Sequence, residues 1–249
     1  MRSQRLVHWL PVLERLGIAV AVAFIYMGYF LINDWLVANQ VKAYVPLTFV
    51  DRAVPFVGEW LYIYALCLIS VFWPMAVVRE RYLFRRIALA YLFVQVVAWV
   101  CFVLVPVQTI HRPTGLTNNT FLEWGLQLCY WLDLPYCCFP SLHVGMSVMA
   151  ALACWKVDRV MGGVALVLAA LIGASTLFVK QHYFVDVVGG FVSAGIAYRL
   201  FIVPFPTEGI ELSRLRFSRV WTITIPIVFF LGVSAAYVAY KGGWVPWQK

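Results

Sequence analysis

Seven apolar runs alternate with polar breaks along the chain, at about Leu13–Ile32, Phe56–Val78, Ile87–Val107, Leu142–Val157, Met161–Val179, Phe184–Pro204 and Val220–Tyr240. Most approach the roughly 20 residues that a helix needs to cross hydrocarbon, and the fourth is short for a span. Inside a bilayer each backbone N–H and C=O must be satisfied within its own segment, so the runs predict helices. No stretch alternates polarity with the period of a strand, which excludes a barrel. Trp9, Trp35, Trp60, Tyr82, Trp131, Trp244 and Trp247 stand near run ends, as interfacial aromatics do. The expectation is an all-α, polytopic membrane bundle of six or seven helices. It forms one domain over residues 1–249, with an N-terminal helix near 13–32 and a C-terminal one near 220–240.

Composition agrees with that pattern: 63% of the 249 residues are hydrophobic and 12% are charged, about half the charged share of a soluble domain. The basic start, Met1–Arg15, leads into an apolar run without a small-residue cleavage site, so the run reads as a retained helix. The net charge of +8 changes the picture only once it is placed by side. If each run crosses once, 13 of the 19 Lys and Arg fall on the side of the N-terminus. Acidic residues divide almost evenly, so the asymmetry belongs to the bases. The positive-inside rule then predicts a cytoplasmic N-terminus. The basic excess is a topology signal and not a nucleic-acid footprint.

The opposite, extracytoplasmic side carries the long loop Gln108–Ser141, with an amphipathic stretch at Phe121–Leu134 expected to lie along the interface. Cys129, Cys137 and Cys138 fall there. A disulfide from Cys129 to Cys137 or Cys138 and three free thiols are both open readings. Cys67, Cys101 and Cys154 fall within spans as small packing residues.

Three strings reach this same side: His111-Arg112-Pro113, Pro140-Ser141-Leu142-His143 and Lys180-Gln181-His182-Tyr183-Phe184-Val185-Asp186. Ionisable residues at membrane depth are costly and tend to mark function. His182 and Asp186, spaced i, i+4, share a helix face, so the carboxylate can orient the imidazole and support its cationic form. Ser141 stands at a helix entry, where free N–H groups favour an anion, although the same position suits a plain N-cap. Arg112 offers a planar fork to phosphate oxygens, and Lys180 offers a point charge or a snorkelling stem. His111 and Tyr183 are candidate head-group contacts, with Asp51 and Glu59 as weaker ones. Two imidazoles, a carboxylate and a cationic cradle are what phosphoryl transfer through a phosphohistidine requires. Gly189, Gly190, Ser193 and Gly195 form a small-residue face suited to close helix packing.

The order Arg-Pro, Pro-Ser-x-His, then Ser-x6-His-x3-Asp (Ser175, His182, Asp186) resembles the type 2 phosphatidic acid phosphatase superfamily over about Phe56–Phe205. The resemblance implies a core of six transmembrane helices, here with a seventh at the C-terminus, and chemistry without metal or cofactor. It implies His182 as nucleophile, Asp186 as its partner, His143 as general acid, and Arg112 and Ser141 as phosphate ligands. Three places depart from the family pattern: Val105 replaces a lysine, Leu142 a glycine, and Thr176 an arginine. Lys180 is placed to substitute for one missing cation. The wording of the second and third strings is similar to the branch of the inositol phosphorylceramide synthases.

The expected function is therefore an integral membrane lipid phosphatase that hydrolyses a lipid phosphomonoester or pyrophosphate on the extracytoplasmic side. The alternative is a lipid phosphotransferase that passes a phosphorylated head group to a lipid or polyol. The partner is a membrane lipid; oligomeric state is not read from the chain. Metal-dependent hydrolysis through His143, His182 and Asp186 competes on residue type alone. A proton-coupled transporter would place polar groups nearer the midplane and repeat its halves, and no repeat occurs here. A Ser–His protease would need more than the Ser141–His143 spacing.

Overall fold

The computed structural model describes residues 12–206 and 218–248. The basic start with Arg2, Arg5, His8 and Trp9, the polar stretch with Glu208, Glu211, Arg214 and Arg216, and Lys249 lie outside the described residues. Among the described residues, five helices are long and apolar enough to cross a membrane: Val12–Ala38, Arg81–Leu104, Arg159–Phe178, Phe184–Ile202 and Val220–Lys241. Two shorter apolar helices, Gly58–Ser70 and Leu142–Val157, correspond to the second and fourth runs. The chain is a multi-pass, all-α membrane bundle.

The first span bends at Met27 into α1 (Val12–Tyr26) and α2 (Gly28–Ala38). Gly28 lies at the bend because Trp99 packs onto it; a Cβ there would come within 2.7 Å of the indole. A five-residue α3 (Phe49–Ala53) follows, closed by a capping box between Thr48 and Asp51. The second run is broken into α4 (Leu61–Ala65), α5 (Cys67–Ser70) and α6 (Trp73–Val77). Pro74 has no N–H to return to Ser70, which accounts for the break between α5 and α6.

Straight α7 (Arg81–Leu104) is the longest element. Helix α8 (Phe121–Leu132) matches the predicted amphipathic stretch, with Thr120 as its N-cap. The core centres on α9 (Leu142–Val157), which is apolar all round and buried along most of its length, as a helix surrounded by others must be. Against it pack α10 (Arg159–Phe178), α11 (Phe184–Ala197, continued by a π-helical turn at Tyr198–Ile202) and α7. The last helix, α12 (Arg219–Lys241), runs along the edge with most of its side chains exposed. An exposed apolar surface of that kind belongs in lipid.

Two packing devices position the site. A Cβ on Gly190 would meet the Ser141 carbonyl at 2.8 Å and Val144 Cβ at 2.9 Å, so α11 lies directly on the start of α9. The small-residue face read in the sixth run is this contact. Beyond α7 the chain runs extended beside two other segments. Tyr44 N–H donates to Pro106 O (2.8 Å), Gln108 N–H to Tyr44 O (3.0 Å), Thr109 N–H to Pro135 O (2.9 Å) and Cys138 N–H to Val107 O (3.3 Å). These bonds hold the Arg112 segment against the loop that enters α9.

Candidate active site

His182 and Asp186 reach the site because a tight turn separates α10 from α11. Lys180 takes a left-handed conformation (φ 56°), its N–H donates to Leu177 O and the Gln181 N–H to Thr176 O. That is the Schellman arrangement, with lysine where glycine is usual. Thr176, which departs from the family's arginine, is buried and gives its hydroxyl to Gly173 O (2.7 Å). Asp186 then closes the first turn of α11, its Oδ2 accepting from the Tyr183 N–H at 2.8 Å. A second carboxylate works at the same end: Asp51 Oδ1 accepts from Phe184 N–H (2.7 Å). Asp51 thus caps two helices, and it also lines the cavity that holds Lys180 and His111.

The two histidines from separate helices meet. His143 Nδ1 lies 3.1 Å from His182 Nε2, and His182 Nδ1 lies 3.5 Å from Asp186 Oδ2. Asp186 is wholly buried and His182 nearly so. On the far side of His143 the Tyr64 hydroxyl stands 2.8 Å from Nε2. One set of protons satisfies this line: Tyr64 O–H to His143 Nε2, His143 Nδ1–H to His182 Nε2, and His182 Nδ1–H toward Asp186.

Arg112 donates through Nη1 to Tyr130 O (3.1 Å) and through Nη2 to Gln181 Oε1 (2.5 Å), while its buried Nε has no partner. It also lies over the Tyr130 ring. Gln181 is fixed in turn by donating to Cys129 Sγ at 3.0 Å. Lys180 Nζ donates to Val54 O (2.6 Å); burial draws its ammonium below its ordinary range, opposed by Asp51. Two cavities adjoin His182. One, with about 290 Å³ of free space, also has Arg112, Asp133 and His143 in its wall; the other, about 260 Å³, has Lys180 and His111. Each cation thus lines its own cavity beside the imidazole.

Ser141 is buried and caps α9, its Oγ accepting from Val144 N–H (3.4 Å) while its own N–H donates to Asp186 O (3.0 Å). These bonds tie the His143 helix to the Asp186 turn. His111 Nδ1 lies 3.4 Å from the Tyr183 hydroxyl, which accepts from Ile110 N–H (3.2 Å). All six cysteines are free, which resolves the open choice at Cys129, Cys137 and Cys138 in favour of thiols.

The sequence reading passed over Tyr64, Asp133 and Gln181 as a clamp, and it named Cys138 only as a disulfide partner or a free thiol. Asp133 carried a legible signal, a lone acid at the end of an apolar amphipathic stretch. Burial pushes its carboxyl up to about 6 against the pull of Arg112, His182 and the Tyr29 hydroxyl. Tyr64 carried none, since its hydroxyl matters only because α9 passes it.

Compared with known proteins, the chain matches one family, described as the PAP2 superfamily, over residues 33–200. No curated protein and no solved structure matches it. The match takes in all eight residues assigned a role from the sequence and leaves out α1 and the start of α2.

Proposed function

Because the chain belongs to the PAP2 superfamily, a class of phosphatase-type membrane enzymes acting on lipids, we propose that it cleaves a lipid phosphate ester or pyrophosphate through a phosphohistidine on His182. One observation carries the reading: Tyr64, His143 and His182 stand in a hydrogen-bonded line with Asp186 3.5 Å beyond it, and Arg112 and Lys180 line the cavities beside His182.

In this reading the phosphoryl group enters between the two imidazoles, drawn by the guanidinium and the ammonium. His182 Nε2 forms the P–N bond as the P–O bond to the lipid breaks. His143 Nδ1 gives its proton to the leaving oxygen. The Asp186 carboxylate steadies the positive charge that develops on the His182 ring. Water then attacks phosphorus, His143 takes its proton, and the P–N bond breaks to release phosphate. Ser141 acts through position, by holding the α9 entry, and His111 and Tyr183 edge the second cavity. No step calls for a metal ion.

Transfer to a hydroxyl acceptor shares the first half-reaction. The first cavity favours it as a second reading, since Tyr26, Tyr29 and Tyr136 bring hydroxyl-bearing side chains beside Asp133. The proposal has the N-terminus in the cytoplasm and the site on the outer face, on the bias of Lys and Arg toward the N-terminal side.

The test is His182→Ala together with trapping of label from radiolabelled lipid phosphate by a rapid quench in alkaline detergent. Wild type should yield alkali-stable, acid-labile label on histidine, and the variant should yield neither label nor turnover while remaining monodisperse in detergent. Full activity in His182→Ala overturns the mechanism. Phosphate release measured with and without lipid alcohols and polyols separates hydrolysis from transfer.

A further inference from the structure

We infer that the site also takes a zinc-type divalent ion, held by Cys138 Sγ, His182 Nδ1 and an Asp186 carboxylate oxygen, and that this ion switches the enzyme off. The ligand atoms of these three buried residues lie within 4.8 Å of one another. Two of them lack any other partner: His182 Nδ1 and Asp186 Oδ1 are buried without a hydrogen bond. The 3.5 Å between His182 Nδ1 and Asp186 Oδ2 is long for a hydrogen bond. It nearly equals the edge of a tetrahedral site with bonds of about 2.0–2.1 Å, which is roughly 3.3–3.4 Å.

Cys138 is available to complete the set. Its thiol donates only a weak S–H bond, 3.3 Å to Pro135 O, with Tyr136 O and Gln181 O farther off at 3.7 and 3.9 Å. Cys138 and His182 line the same cavity, which gives an ion its path and leaves a fourth position for water. A sulfur, a nitrogen and an oxygen suit zinc and exclude magnesium and calcium, which take oxygen alone. Burial holds the free thiol protonated, so binding releases that proton to solvent. Thiolate, carboxylate and neutral imidazole then match the two charges of the ion, and the buried centre is left electrically neutral.

Inhibition follows from the tautomer, and this half rests on the proposed role of His182. A metal on Nδ1 needs the lone pair there, so the ring proton moves to Nε2. The nitrogen that should attack phosphorus then has no lone pair, and Asp186 is occupied as well. Arg112 and Lys180 are untouched, so zinc should lower kcat and leave KM in place.

The experiment titrates the full-length protein in detergent with cobalt and with zinc. Wild type should take up a stoichiometric cobalt ion showing a thiolate-to-cobalt charge-transfer band, displaced by zinc. Cys138→Ala should lose the band and weaken zinc by about tenfold or more, while keeping its basal turnover. Cys138→Ser, nearly isosteric, serves if the alanine variant proves unstable. Absence of the band in wild type, or equal zinc binding by His182→Ala or Cys138→Ala, overturns the site. A cobalt site that forms as expected without loss of turnover instead overturns His182 as nucleophile and leaves the metal site standing.

Discussion

Tyr64 shows how much a site of this kind depends on a hydroxyl with no chemistry of its own. Its O–H is 2.8 Å from His143 Nε2, and with that donor in place the ring must carry its proton on Nδ1, facing His182. Tyr64→Phe keeps the ring that packs at 5.0 Å from the imidazole and removes only this lock. A neutral hydrogen bond contributes about 0.5–1.5 kcal/mol, so kcat should fall by about two- to tenfold. KM should hold, and stability should fall by no more than that same bond. Steady-state kinetics showing an unchanged kcat would remove Tyr64 from the line.

Asp133 gives a second test at the same scale, on stability. Its folded carboxyl titrates at about 6, whereas an unfolded aspartate titrates near about 3.9. The folded state holds its proton more tightly, so stability is highest below about pH 4 and declines as pH rises toward about 6. Asp133→Asn should flatten that decline and raise the melting temperature at neutral pH. An identical pH dependence in thermal scans of the two proteins would rule this out. His143, His182, Asp186 and Arg112 were legible as single residues because charge is scarce in apolar runs. Tyr64, Gln181 and Cys138 were not, because their partners arrive from distant segments.

At the scale of elements, the apolar runs located the helices but not their breaks. The second run reads as a single span on hydropathy, yet it comprises three short helices, and Pro74 within it was the available sign. The first run extends to Ala38 because polar Asn33 is buried and donates to Leu134 O (3.0 Å), a bond that hydropathy counts against the helix. The contact between α9 and α11 was legible as a small-residue face, and it leads to a matched pair of variants. A methyl at Gly190 would press on the Ser141 carbonyl, Val144 and the Gly145 N–H, while one at Gly195 meets nothing within 4 Å. Gly190→Ala should therefore push the His143 turn away from His182. The expected destabilisation is about 1–3 kcal/mol, with a larger loss of activity than of fold. Gly195→Ala should leave both as they are. Equal behaviour of the two variants in melting and turnover assays would mean that the close approach does not position the histidines.

For the whole molecule, the structure joins the charge asymmetry to the site. At one end Glu14 pairs with Arg81 and Arg85, Arg86 donates to Phe201 O (3.2 Å) and Lys156 to Val203 O (3.5 Å). The far end of α7 leads through Pro106 to Arg112 and the histidines. Its 24 residues span about 36 Å at 1.5 Å each, more than the roughly 30 Å of hydrocarbon. The base-rich end and the site therefore stand at opposite ends of α7, and the proposed orientation, with the bases inward, turns the site outward. Single cysteines at Asn118 and at Arg85, in a background freed of the native thiols, test this directly. Arg85 is half exposed and its ion pair with Glu14 is worth little at a surface, so the substitution should be tolerated. In intact cells an impermeant maleimide should label Asn118→Cys and spare Arg85→Cys until the membrane is opened. The reverse order would turn the molecule over, so that the site would open to the cytoplasmic leaflet and the base-rich end would face outward, against the positive-inside rule.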